Sequence, residues 1–378
     1  HVDAGKSTLM GRLLLDLGVV DQRIIKKYKD EAEMSGKSSF AMAWILDQDS
    51  EERLRGLTID VGINKFETEK TSFTILDAPG HRDFIPNMIA GASQADFALL
   101  VIDATTGSFE SGLKGQTKEH ALLVRSMAVQ KIIIAVNKLD NVQWSLERYE
   151  EIQIQLSAFL TKAGFLCRNI HFIPCSGLLG DNVSQASNNP AASWYKGPTL
   201  VDLLDSLEPI SHALNKPFRL TISDVFHGGT QYPLSISGRI ESGTLQIADN
   251  LLVQPSNQKS LIKALELDDK PVDWAVAGQD IVIHLSGIDA HHLKIGDVLC
   301  SESHPVLNIT EFKLKALAFD FMFPTQVDVH KGRIHTTGRI KDIVGIFNKS
   351  SDLDVTKKKP KVVKPGTIAL LVVALDHA

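Results

Sequence analysis

The chain has 378 residues, 43% of them hydrophobic and 22% charged, with a formal net charge of −5. That length exceeds one typical core and suits two or three domains. The mild acidity argues against a protein that coats nucleic acid indiscriminately, so any contact with RNA falls to local patches. Cys167, Cys175 and Cys300 have neither C-x-x-C spacing nor the density of a disulfide framework, and no apolar run is long enough to cross a bilayer. With no secretory leader in view, a cytoplasmic protein without a membrane partner is expected.

The chain opens on His1-Val2-Asp3-Ala4-Gly5-Lys6-Ser7-Thr8. Gly5, Lys6 and Ser7 match the second half of the phosphate-binding pattern G-x-x-x-x-G-K-[ST]. There, consecutive backbone N–H groups wrap the α- and β-phosphates, the lysine reaches β and γ, and the hydroxyl binds Mg²⁺. Val2 to Thr8 are the candidate phosphate-binding residues and Ser7 a candidate metal ligand. The pattern calls for another glycine directly before His1 and a buried strand before that, so the chain reads as starting late. By itself, a glycine-lysine-serine helix start that binds nothing is an ordinary alternative.

Phe73 to Leu76 is an apolar run that reads as a strand buried on both faces, with Asp77-Ala78-Pro79-Gly80-His81 at its C-terminal end. Ligands of open α/β sheets collect at such ends. Asp77 is placed to hold Mg²⁺ through water, and the Gly80 N–H to sense a γ-phosphate. A plain Asp-Pro-Gly turn accounts for the shape but not for a partnership with Lys6. Lys131 to Val136 is another buried strand, followed by Asn137-Lys138-Leu139-Asp140 where a purine base would lie. The Asp140 carboxylate can accept from guanine N1–H and N2–H₂, whereas adenine offers an acceptor at N1 and lacks the N2 amine. A buried carboxylate left unpaired is costly, so such a site discriminates by roughly 10⁴ to 10⁵. After His171 to Pro174, Cys175-Ser176-Gly177-Leu178 is placed to give backbone N–H groups to guanine O6, although Ser-Gly is also a common turn. The nucleotide implied is GTP, with GDP as its product.

Thr199 to Leu207 reads as a closing helix with one buried face, ending a first domain of residues 1–209. After Asn215-Lys216-Pro217 the pattern changes to short β-rich segments between glycine turns: Phe218 to Val225, Ser237 to Ile240, Leu251 to Val253 and Ile281 to Leu285. This suggests a small β-barrel over residues 216–301. A third β-rich domain over 306–378, with strands at Phe312 to Phe319 and Thr367 to Val373, reads as an incomplete barrel, and Phe323 to Asp328 as an awkward join. The run Lys357-Lys358-Lys359-Pro360-Lys361 reads as a solvated loop, with contact to ribosomal RNA or an acidic face as the alternative. The fold class expected is an α/β P-loop domain, its mostly parallel sheet covered by helices on both faces, followed by two small β-barrels.

The stretch Glu52-Arg53-Leu54-Arg55-Gly56-Leu57-Thr58, followed by Asp77 to His81, resembles the translational GTPases. One GTPase domain followed by two barrels resembles the elongation factor Tu and one-alpha family over nearly the whole chain. The resemblance implies that Thr58 closes over Mg²⁺ and the γ-phosphate, in a loop ordered by that phosphate and released on hydrolysis. It also implies that His81, standing where many small GTPases keep a water-orienting glutamine, aligns the attacking water when large-subunit ribosomal RNA draws it inward. Val2 and Leu57 would form the apolar gate that holds it out beforehand. The implied catalytic set is Lys6, Thr58, Gly80 and His81, and the implied Mg²⁺ set Ser7, Thr58 and Asp77.

Within that family, Gly36 to Trp44, Asp83 to Met88, Pro271 to Ala275 and Thr356 to Lys361 resemble the Hbs-type GTPases that partner Pelota in rescuing stalled ribosomes. Pro86 departs from the lysine usual in the tRNA-carrying factor. The partners implied are the ribosome and a Pelota-type protein shaped like tRNA, bound by a monomer that forms a heterodimer. Two other readings stand beside this one: a tRNA carrier or termination factor with the same engine, and a nucleotide-dependent scaffold that does not hydrolyse GTP. A scaffold would have little need of His81.

Overall fold

In the computed structural model, which describes residues 3–34, 42–46, 61–81, 84–92, 94–127, 129–208, 212–227, 232–331, 334–348 and 351–376, apolar spacing selects the elements of the first unit. These are α1 (Lys6–Asp16), α2 (Gln22–Met34), β1 (Gly62–Glu67), β2 (Ser72–Asp77), α3 (Ile85–Ala92), β3 (Phe97–Asp103), α4 (Ser108–Lys114), α5 (Gln116–Ser126), β4 (Lys131–Asn137), α6 (Leu146–Lys162), β5 (Ile170–Pro174) and α7 (Leu200–Ser206). The Ser145 hydroxyl caps α6 by accepting from the Arg148 N–H at 3.2 Å. Thr199 and Asp202 form a reciprocal capping box at the start of α7, which turns Leu200, Leu203 and Leu204 inward.

β3, β4 and β5 pair in that order, all parallel. The two-residue period of β4 sends its side chains into different cores. Ile133 and Ala135 pack with Leu9 and Leu13 of α1 and Leu200 and Leu203 of α7. Ile132, Ile134 and Val136 pack with Ala121 of α5 and Ile152, Leu156 and Leu160 of α6. Helices therefore cover both faces, and the C-terminal strand ends emerge together. β1 and β2 form a separate antiparallel pair. The expected burial of Phe73 to Leu76 on both faces is not met: Thr74 is exposed and Phe73, Ile75 and Leu76 are half-buried. Only one face of β2 meets the core, where the Phe73 ring stacks on Phe66 at 5.0 Å and meets Phe97 edge-on at 6.2 Å.

The chain divides into two compact units, His1–Pro209 and Ile210–Ala378. The second holds β6 (Arg219–His227), β7 (Leu234–Ser242), β8 (Thr244–Gln246), β9 (Asn250–Gln254), β10 (Gln258–Leu267), β11 (Lys270–Val272), β12 (Trp274–Val276), β13 (Asp280–Ser286) and β14 (Val298–Ser301). β10, β13, β7, β6, β14 and β9 pair in that order and β9 returns to β10, which closes a barrel around Leu220, Ile236, Val253, Leu265, Ile283 and Leu299. After it come β15 (Glu311–Leu317), β16 (Gln326–Lys331), β17 (Ile334–Asn348), β18 (Ser351–Lys358) and β19 (Ile368–Leu375). They form an open antiparallel sheet over a separate core around Ile340, Ile343, Leu371 and Val373.

The awkward join at Phe323 to Asp328 is the entry to β16, which begins at Gln326. The basic run is a correction: Lys357 and Lys358 end β18, paired with Ile346 and Gly345 of β17, and Pro360 is buried. Lys359 and Lys361 are exposed, as expected of a loop. Backbone pairing, to which charge is indifferent, overrides the composition.

Candidate functional site

The phosphate-loop residues enter α1 through two left-handed positions, Asp3 at φ 60° and Gly5 at φ 86°. The N-cap Gly5 has no side chain to cap the first turn of α1, and a helix start of that kind suits an anion. A side chain at Gly5 would place its Cβ 2.7 Å from Asn137 Nδ2, so glycine is required there twice over, for its backbone angle and for space. Ala4 is buried, Lys6, Ser7 and Thr8 are half-buried, and the Ser7 hydroxyl donates to Asp77 Oδ2 at 3.1 Å. A hydroxyl and a carboxylate seventy residues apart in sequence thus meet, and both are hard oxygen donors suited to Mg²⁺.

Asn137 ties three segments together. Its Nδ2 donates to the Ala4 carbonyl at 2.9 Å and its Oδ1 accepts from the Gly177 N–H at 2.8 Å, and the residue is only 2% exposed. Gly177 lies so near α1 that an added Cβ would be 2.9 Å from Leu9 Cα. Lys138, at φ 61°, donates to the Asp3 carbonyl at 2.5 Å and pairs with Asp103 Oδ2 at 2.8 Å. Arg12 of α1 donates to the Leu178 carbonyl at 2.5 Å. These bonds hold the Ser176 to Leu178 turn, with Ser176 and Gly177 buried and Leu178 exposed, beside the start of α1.

Asp140 is half-buried, and its Oδ1 is buried without a hydrogen-bond partner among the described residues. An orphaned carboxylate oxygen is costly to keep inside a protein, and a ligand presenting two N–H donors would satisfy it. Burial, together with the nearby Asp140 charge, pushes the Cys175 thiol far above its usual range, so no thiolate competes beneath that carboxylate. Asp103 is held below the usual carboxylate range: burial alone would raise it, but hydrogen bonds from Lys138 and Thr105 outweigh that.

Gly80 is buried, and His81 is half-buried after it with its ring 6.0 Å from that of Phe84. Pro86 falls in the first turn of α3, where its missing N–H costs nothing. Val2, Leu57 and Thr58, the expected gate and second metal hydroxyl, lie outside the described residues. Sequence reasoning passed over Asp103 and Arg12. Asp103 had a readable signal: it closes the apolar run Phe97 to Ile102 as Asp77 and Asn137 close theirs.

Residues 1–210 match the family described as "Elongation factor Tu GTP binding domain", and residues 236–300 "Elongation factor Tu domain 2". The chain is 41% identical to Protein HBS1 of Drosophila melanogaster, over 98% of this chain and 56% of that protein. It is 40% identical to elongation factor 1-alpha of Picrophilus torridus, over 100% of this chain and 88% of that one. It thus spans little more than half the length of the HBS1 relative. In fold it is similar to the S. cerevisiae Ski7 GTPase-like domain, with a TM-score of 0.79 at 21% identity over 99% of this chain and 87% of that one. A phosphate-loop motif, a Ser7–Asp77 pair and an orphaned Asp140 carboxylate oxygen on such a sheet, with the family matched over the whole first unit, lead to one assignment: the chain belongs to the elongation factor Tu family of GTP-binding proteins.

Proposed function

We propose that the chain binds GTP and hydrolyses it to GDP and phosphate on the ribosome, in the cytoplasm, and delivers a Pelota-type, tRNA-shaped protein to stalled ribosomes. The observation that carries the nucleotide reading is the orphaned Asp140 Oδ1 beside a turn and a phosphate loop already bonded to each other through Asn137. In this reading Asp140 accepts from guanine N1–H and N2–H₂, and the Gly177 and Leu178 segment faces O6. The stem of Lys138 forms a wall of the base site, and the N–H groups from Gly5 to Thr8 hold phosphate oxygens. Ser7, Asp77 and Thr58 would hold Mg²⁺, which supplies neutralisation of charge on the β- and γ-phosphates. Lys6 adds a fixed positive charge at the same oxygens. His81 orients the attacking water, and because that contact matters only during bond breaking, His81 governs rate rather than affinity. Gly80 reads the γ-phosphate through its N–H and couples its loss to the following segment.

The rescue role is supported by the wording of Gly36 to Trp44 and Asp83 to Met88 and by the similarity to HBS1. The nearly equal identity to an elongation factor 1-alpha favours a second reading, a carrier of aminoacyl-tRNA. Linkage separates them. A cargo that prefers the GTP state must tighten GTP by the same factor by which GTP tightens the cargo. GTP affinity is therefore to be titrated with and without a Pelota-type protein, as a heterodimer, and with and without aminoacyl-tRNA. Tightening by the Pelota-type protein alone supports rescue. Tightening by aminoacyl-tRNA, with protection of its ester from hydrolysis, replaces rescue with tRNA delivery.

A further inference from the structure

Asp103 ends β3 opposite Asn137 in the parallel register, so its carboxylate leaves the sheet beside the base-recognition segment. Its two oxygens face different partners. Oδ1 accepts from the Thr105 N–H at 2.9 Å and the Thr105 hydroxyl at 2.6 Å. Oδ2 faces the Lys138 ammonium at 2.8 Å, in a pair whose side chains are 12% exposed for Asp103 and 30% for Lys138. The turn that carries Asp103 is itself braced: Arg148 donates to the Ala104 carbonyl at 2.9 Å and the Thr105 carbonyl at 3.3 Å. Glu110 and Glu151 hold that guanidinium at 2.8 and 2.7 Å. The carboxylate is thus a fixed point, while lysine is a flexible stem with a mobile charge.

Lys138 joins the site's two halves. Its ammonium bonds the Asp3 carbonyl at 2.5 Å, and its Cε lies 3.8 Å from where a Cβ on Gly5 would be. With only the Asp3 carbonyl to hold it, the ammonium would trade that bond for water through its exposed third, and the stem beside Gly5 would follow. A nearly buried carboxylate removes that freedom.

We propose that Asp103 is a positioning residue that fixes Lys138 between the phosphate loop and the base-recognition turn, and so slows release of guanine nucleotide without taking part in hydrolysis. This rests on the guanine-site reading given above. Asp103→Asn is the discriminating variant, because it keeps an acceptor for Thr105 and puts an amide, which cannot pair as a carboxylate does, against Lys138.

Dissociation of a fluorescent GDP analogue from the full chain is to be followed by stopped flow. Asp103→Asn is expected to speed release by about tenfold, while the ribosome-stimulated hydrolysis rate at saturating GTP stays within twofold. Lys138→Met keeps the stem and removes the ammonium. It is expected to release GDP at least as fast, and adding Asp103→Asn to it should change nothing further. Thr105→Val is expected to leave release within twofold. Unchanged release in Asp103→Asn, an equal additional effect in the Lys138→Met background, or a Thr105→Val effect matching Asp103→Asn each overturns the proposal. If Asp103→Asn does not fold, slow release in a folded Lys138→Met overturns it instead. Equal release of fluorescent GDP and ADP analogues by the unaltered chain would sink the guanine-site reading and this proposal together.

Discussion

The nucleotide end of the first unit and the barrel of the second hold together by opposite means. In the barrel, β10 to β9 close on themselves through backbone pairing around an apolar core that includes Ile236, Leu265 and Ile283. At the nucleotide end, loops far apart in sequence are joined by single side chains: Ser7 to Asp77, Asn137 to Ala4 and Gly177, Lys138 to Asp3 and Asp103. A barrel averages a substitution over its packing, whereas a site built on single ties concentrates each loss. The second construction suits a switch, since few bonds need to change for the loops to rearrange.

The sharpest way to break this contrast is Asp140→Asn. Its amide can donate to the C2 oxygen of xanthine but no longer accepts twice from guanine. Preference for GTP over the xanthine nucleotide should fall by about 10³-fold or reverse. Competition binding reads this, and an unaltered preference would remove Asp140 from base recognition. His81→Ala comes next: ribosome-stimulated hydrolysis should slow by about 10²-fold or more with GTP affinity nearly constant. A full stimulated rate in that variant would mean that water is oriented by another group.

A matched pair then tests the two constructions against each other. Ile283→Ala, at a position with no exposure in the barrel, should cost about 2–5 kcal/mol of stability yet leave GDP affinity unchanged. Asn137→Ala leaves the Ala4 carbonyl and Gly177 N–H without their partner and should cost on the order of 3 kcal/mol. It should also abolish tight nucleotide binding. Urea denaturation followed in each unit, with GDP titration alongside, would break the contrast if both variants behaved alike.

The smallest effect is one of pH. Because Asp103 is depressed below the usual carboxylate range, its contribution is fully present above that range and is lost as pH falls through its folded-state value. The melting temperatures of the unaltered chain and Asp103→Asn should therefore differ at neutral pH and converge in strong acid. A constant gap would show that the carboxylate's charge is not what Lys138 uses.

Much of the candidate site was legible because the proposed chemistry demands particular atoms at particular strand ends. Gly5, Ser7, Asp77, Asn137 and Asp140 declared themselves through motifs whose residue types have few substitutes. Asn137 was legible only as a member of its motif: nothing in the sequence says that it bonds Ala4 and Gly177, since those partners lie 133 and 40 residues away. Asp103 went unread because no motif names it. In the second unit, β10 escaped because Leu261, Ile262, Ala264, Leu265 and Leu267 interleave with lysine and glutamate in a nearly helical rhythm. A register shift between Ile262 and Ala264 lets that spacing serve a strand. β17 escaped likewise, its glycines and charges masking a long strand with two such shifts against β19.

By itself, then, the sequence determined the nucleotide class, the strand ends that would bear it and the change from α/β to β-rich architecture, because periodicity and donor–acceptor chemistry are local properties. The tertiary structure alone decided which side chains lock those ends together, that the barrel closes through β9 onto β10, and that Lys357 and Lys358 belong to a strand. Those outcomes depend on partners brought near by folding, and pairing energy between distant segments has no trace in the local pattern.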